Sequence, residues 1–110
     1  MSDEITVVIR HVEDCIGSIS AREVLLMATH DLKKGIESLN EAYSTGSARG
    51  TMAAAHTLAG ILGTFKFKNA AALCRRAMEP HVASSLIAEC TQTVTEIIAA
   101  LNQEYATPTE

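Results

Sequence analysis

A histidine set among alanines and glycines is where this chain is best equipped for chemistry. His56 lies in Ala53-Ala54-Ala55-His56-Thr57-Leu58-Ala59-Gly60-Ile61-Leu62-Gly63. Imidazole is largely neutral at the pH of a cytoplasm and offers a lone pair, so it can serve as a nucleophile. At about 100° per residue, Ala54, Leu58, Ile61, Leu62 and Phe65 gather on one helix face, and His56 falls on the opposite one. Its neighbours there are Arg49, Met52, Ala53, Ala59, Gly60 and Gly63. A solvent face ordinarily carries Lys, Glu and Gln instead. Each glycine inside a helix costs roughly 1 kcal/mol against alanine, so Gly60 and Gly63 need a packing or approach reason. The pattern predicts that something comes close to His56.

Other reactive residues are less suggestive. His30 lies opposite the Leu25/Leu32/Leu39 stripe, beside Lys33 and Lys34, and reads as a solvated side chain. His11 flanks the first apolar stripe, and His81 follows Pro80 in a loop. No pair of histidines, and no histidine with cysteine, has metal-ligand spacing, so no metal site is expected. Thr57 beside His56 lacks the acid and base of a hydrolase. Cys15, Cys74 and Cys90 are odd in number, without CxxC spacing, and each lies on or beside an apolar stripe; buried thiols in a reducing cytoplasm are expected. Between Thr51 and Met78 stand Lys66, Lys68, Arg75 and Arg76 and no acid, while the whole chain carries a net charge of −4. That patch is either a solvated face or a dock for an acidic partner.

Elements to hold these residues follow from periodicity. At 110 residues the chain is read as one domain. Its core must be aliphatic, because it holds only two Phe, two Tyr and no Trp; that favours helices over sheets. Ile5, Val8, Ile9, Val12 and Ile16 mark a first short helix, with Ser2, Asp3 and Glu4 at its start and Gly17-Ser18 at its end. Ser20-Ala21-Arg22-Glu23 matches a capping box, with Ile19 and Val24 as a staple, ahead of a helix carrying Leu25, Leu32, Ile36, Leu39 and Tyr43. After Ser44-Thr45-Gly46, Ser47 can cap a third helix running through His56 to about Phe65. A fourth, about Asn69 to Met78, stops before Pro80. The last carries Leu86, Cys90, Val94, Ile97, Leu101 and Tyr105, and the tail Ala106–Glu110 is expected to fray. This reads as an all-α, antiparallel four-helix bundle with a short additional N-terminal helix. The negative charge argues against nucleic acid. The acidic opening Met1-Ser2-Asp3-Glu4 does not fit a signal peptide, and no apolar run reaches the roughly 18 residues of a membrane span.

Ala55-His56-Thr57-Leu58-Ala59-Gly60, followed by Gly63-Thr64-Phe65, Leu73-Cys74 and Glu79, resembles the histidine-containing phosphotransfer (HPt) domains of bacterial two-component phosphorelays. That family's signature is alanine-histidine-x-leucine-lysine-glycine, with a leucine-cysteine pair on the next helix. Leu25 to Thr51 is similar to the family's long second helix and its turn, so the likeness covers most of the chain. Two positions depart from it: the family's lysine three residues after the histidine is Ala59 here, and its glycine ten residues after is Lys66. The resemblance implies a phosphoryl acceptor at His56, with receiver domains and a sensor histidine kinase as partners. It also implies that any Mg²⁺ is supplied by the partner receiver and that no cofactor is bound by this chain.

The reading is therefore a cytoplasmic, monomeric phosphohistidine relay without kinase activity of its own, since no GxxxxGK[ST] loop is present. Ala53, Met52, Ala59, Gly60 and Gly63 would shape the site, and Arg49, Lys66, Lys68, Arg75 and Arg76 would serve docking or phosphate. The alternatives are a phosphorylation-silent module that binds receivers, and a small helical adaptor whose flat face packs on a partner helix.

Overall fold

Helices make up most of residues 3–106, the part of the chain that the computed structural model describes. They are α1 Asp3–Ile16, α2 Ser18–Ser44, α3 Ala48–Thr64, α4 Lys68–Arg76 and α5 Ser84–Ala106. No strand occurs among the described residues. Ser2, expected to help start α1, and the tail beyond Ala106 lie outside them. None of these helices is long and apolar enough to cross a membrane.

Most positions of the expected stripes become the core, but Ile16, at the end of the α1 stripe, is 45% exposed. Ile5, Val8 and Val12 of α1 are buried, as are Leu25, Leu32 and Leu39 of α2 and Leu58 and Leu62 of α3. α5 adds Ile87, Cys90, Val94, Ile97, Leu101 and Tyr105. α2 packs against α3 and α5, α4 against α3 and α5, and α1 against α2. The molecule measures 47 × 23 × 21 Å. With helix diameters of about 10–12 Å, it is two helices wide in each short direction, the dimensions of a bundle.

Two turns set the phase of the long helices. Gly46 ends α2 in the left-handed region (φ 79°). There the Ser47 amide donates to Ala42 O at 2.8 Å and the Gly46 amide to Tyr43 O at 3.1 Å, a Schellman ending. Ser47 then caps α3, its Oγ accepting from the Gly50 amide at 2.9 Å, as expected.

The α1–α2 junction departs from expectation. Gly17 alone, at φ 84°, breaks the helix, and α2 begins at once at Ser18 with no side-chain cap. Ala21 N donates to Gly17 O at 2.9 Å, so Ser20 and Glu23 lie inside a helix already under way and form no capping box. Ile19 is 78% exposed, so it makes no staple with Val24. Glu4 instead caps from a distance: its carboxylate accepts from the Asn69 amide of α4 at 3.0 Å, where Phe67 provides no side-chain cap.

Polar ties link the far ends. Arg22 Nε donates to Tyr105 O at 3.0 Å, and Tyr105 Oη donates to the Glu13 carboxylate at 2.8 Å, joining α1, α2 and α5. Burial first, then the bond to Glu13, pushes the Tyr105 phenol above its ordinary range, so it remains a donor. Of the cysteines, Cys74 and Cys90 are buried but Cys15 is exposed, contrary to expectation, because the last turn of α1 stands clear of the core, Ile16 with it. A hydrogen bond with Cys90, then burial, raises the Cys74 thiol and keeps it protonated.

Candidate functional site

α3 is held by its apolar side. Thr51, Ala54, Ala55, Leu58, Ala59 and Leu62 are buried, and this fixes the roll of the helix so that His56 emerges exposed near its middle. With it emerge Arg49, Met52, Ala53, Thr57, Gly60, Gly63 and Thr64. Arg49 is the one charged side chain in that set. Even the hydroxyls lie back on the helix: Thr57 Oγ1 donates to Ala53 O at 3.1 Å and Thr64 Oγ1 to Gly60 O at 2.8 Å. A Cβ added at Gly60 or Gly63 would meet nothing within 4 Å. These glycines fill no internal gap; the space beside them is open.

One expected member of this face is elsewhere. Ala59 is 5% exposed and belongs to the core. It lies on the flank of α3 turned away from α2, where α4 is the neighbouring helix and brings Ala70, Ala71 and Ala77 into the same core. Small residues on both helices permit a close approach, and alanine at position 59 is part of that packing. The flat face is thus made by Ala53, Gly60 and Gly63, with Met52 at its edge, 46% exposed.

Nor do the basic residues form one patch beside His56. Lys68 opens α4 while Arg75 and Arg76 close it, about 10 Å further along the helix. Lys66 and Lys68 share a recess with Glu4, Val7 and His11 of α1. Arg76 borders one with Glu79 and Glu89. The segment that carries no acid in sequence meets acids from other elements in space. Lys66 itself stands at φ 70°: its amide donates to Gly63 O at 3.1 Å and the Phe67 amide to Leu62 O at 2.9 Å, the same ending that Gly46 gives α2.

The reading of the sequence missed a groove between α2 and α3, lined by Asp31, Lys34, Gly35 and Ser38 on one side and by Gly50, Ala53, Thr57 and Ile61 among others on the second. The one local signal was Gly35, a glycine inside a long helical pattern. A Cβ there would stand 2.7 Å from Leu58 Cδ2, so the glycine lets the two helices touch.

Comparisons with known protein families, curated proteins and solved structures find no match for this chain. Among the described residues nothing hydrogen-bonds the His56 ring, and no cluster of three or more His, Cys, Asp or Glu could hold a metal. An exposed imidazole without an orienting acid, on a face cleared of bulk, is suited to accept a group presented by another macromolecule's active site.

Proposed function

We propose that this chain is a histidine phosphotransfer domain that carries a phosphoryl group on His56 between receiver-domain aspartates, or from a histidine kinase to a receiver. The observation that carries this reading is the exposed His56 on a helix face cleared of long side chains, with open space beyond Gly60 and Gly63. The lone pair of a neutral ring nitrogen attacks the phosphorus of an aspartyl phosphate. The P–N bond forms as the P–O bond to aspartate breaks, and the aspartate leaves as a carboxylate. The reverse reaction with a second receiver regenerates free His56. Such transfer needs alignment and charge stabilisation more than covalent assistance, so access is the first requirement. Mg²⁺ belongs to the receiver in this scheme, which operates in the cytoplasm with the chain as a monomer.

The scaffold proposed for it is an antiparallel four-helix bundle of α2 to α5, with α1 across one end. Its support is the closed circuit in which α2 and α4 each pack on both α3 and α5.

Incubation with a phosphorylated receiver domain tests the reading. Label is expected on the wild-type chain and none on His56→Gln. Binding of the receiver without label would select a phosphorylation-silent docking module, and no binding would select a helical adaptor.

A further inference from the structure

We propose that His11 and Cys15, on the outer face of α1, form half of a zinc site that a second copy of this chain completes. The two residues are four apart, so they stand one turn above the other on the helix. Two side chains at that spacing can grip one ion, and the expectation of no metal site passed this pair over. His11 Nε2 lies 3.8 Å from Cys15 Sγ. In a tetrahedral zinc site, Zn–S bonds of about 2.3 Å and Zn–N bonds of about 2.0–2.1 Å set sulfur and nitrogen about 3.6 Å apart. The pair already stands at the bite of a bound ion. Both side chains are exposed, so an ion reaches them without any opening of the bundle.

Structural zinc takes four donors, and this pair supplies two. Among the described residues no third His, Cys, Asp or Glu joins them. A twofold axis through the ion brings the same pair from a second copy, which gives two sulfurs and two nitrogens, the donor set of a closed structural site. Each thiol releases its proton to solvent on binding, so two thiolates and two neutral imidazoles balance the charge of the ion. The surroundings of the pair also suit a second copy. His11 and Cys15 border one recess with Ile16 and Val24, and on the other side His11 shares a recess with Val7. All three of these apolar side chains are exposed in the single chain, and a copy seated over the ion would cover them. Lys66 lines both recesses. Its charge opposes a bare cation but favours the thiolate that binds it.

Cobalt(II), which occupies tetrahedral zinc sites and reports them by colour, tests this on the whole chain kept reduced. Expected are a thiolate-to-cobalt charge-transfer band and intense visible bands that saturate at one cobalt per two chains and vanish when zinc is added. Zinc should convert the monomer to a dimer in sedimentation velocity, and a chelator should reverse it. Cys15→Ser and His11→Ala should each abolish both bands and dimer with unchanged helical circular dichroism, whereas His30→Ala should match wild type. No band in the wild type overturns the site, and saturation at one cobalt per chain without a dimer overturns its sharing. Wild-type bands in either variant do the same, and in Cys15→Ser they would move the sulfur to Cys74 or Cys90. A dimer that resists the chelator but yields to further reductant is a disulfide and also overturns the proposal. None of these measurements involves His56, so the phosphotransfer reading stands or falls separately.

Discussion

Gly35 and Gly60 both sit inside helices where alanine would be the better helix former, yet they answer to different neighbours. At Gly35 the missing methyl group makes room for Leu58, whose Cδ2 would lie 2.7 Å from a Cβ and whose side chain is fully buried. At Gly60 a Cβ would meet nothing. Both glycines cost a similar amount of helix stability. One is explained from within the fold; the other has no neighbour there, and on the proposed function it leaves room for an approaching partner. That contrast separates the packed flank of α3 from its proposed working face, and substitutions at the two kinds of position should respond oppositely.

The largest expected effect is at Gly60. Gly60→Leu should keep or slightly raise the melting temperature, since leucine is the better helix former by several tenths of a kcal/mol and meets no atom. Transfer from a phosphorylated receiver should fall more than tenfold, because the side chain occupies the partner's approach. Melting curves and transfer rates on one preparation read both. Unimpaired transfer would show that the open face has no steric role.

Ala59→Lys follows. The family likeness suggests that a lysine here would strengthen phosphorylation, but that requires an open position. Position 59 is packed, so the longer chain must displace part of the α3–α4 contact or run its stem out along it. A loss of about 1–3 kcal/mol of stability is expected, by denaturant titration. A gain in phosphohistidine without that loss would place the side chain back on the working face and break the division drawn here.

Gly35→Ala tests the other half of the comparison with a smaller effect. About 1 kcal/mol of helix propensity is gained and about 1–3 kcal/mol of overpacking against Leu58 is lost, leaving a net loss of about 1 kcal/mol. The melting temperature should drop by several degrees, whereas Gly60→Ala should raise it. Equal stabilisation by both would mean that Leu58 yields without cost.

Much of this arrangement was legible in the sequence, and the omissions share a physical cause. Apolar stripes at helical spacing, the Ser47 cap and the exposure of His56 depend on residues a few positions apart, so local periodicity reports them. Ala59 was placed on the wrong side because alanine carries no preference strong enough to mark a face, and its burial is decided by α4. The capping box at Ser20–Glu23 has the right residue types, but Gly17, in a conformation open chiefly to glycine, starts the helix sooner. Phe67, among the largest fully buried side chains, belongs to no helical stripe, as it lies between α3 and α4. The groove between α2 and α3 was missed for a similar reason: two helices far apart in sequence make it, and only Gly35 hinted at it.

The smallest effect concerns Lys66, where the family pattern has glycine. Its φ of 70° is a left-handed conformation that costs a residue with a Cβ about 1 kcal/mol or more. It persists because the two hydrogen bonds that the Lys66 and Phe67 amides donate at the end of α3 satisfy carbonyls which would otherwise be bare. Lys66→Gly should therefore stabilise the fold by up to about 1 kcal/mol, while Lys66→Ala, which removes the charge and keeps the strain, should not. The lysine itself sits at the far end of α3 from Arg49, in a recess shared with Lys68 and Glu4. On the proposed phosphotransfer reading its charge would serve to steer an acidic receiver. Both variants should slow receiver association modestly at low salt, and the double loss of Lys66 and Lys68 somewhat more, with the differences shrinking as salt screens them. Phosphorylation by phosphoramidate, a small phosphodonor, should be unchanged in all three. If the double variant abolishes it instead, the stabilising charge reaches His56 from the C-terminal end of α3.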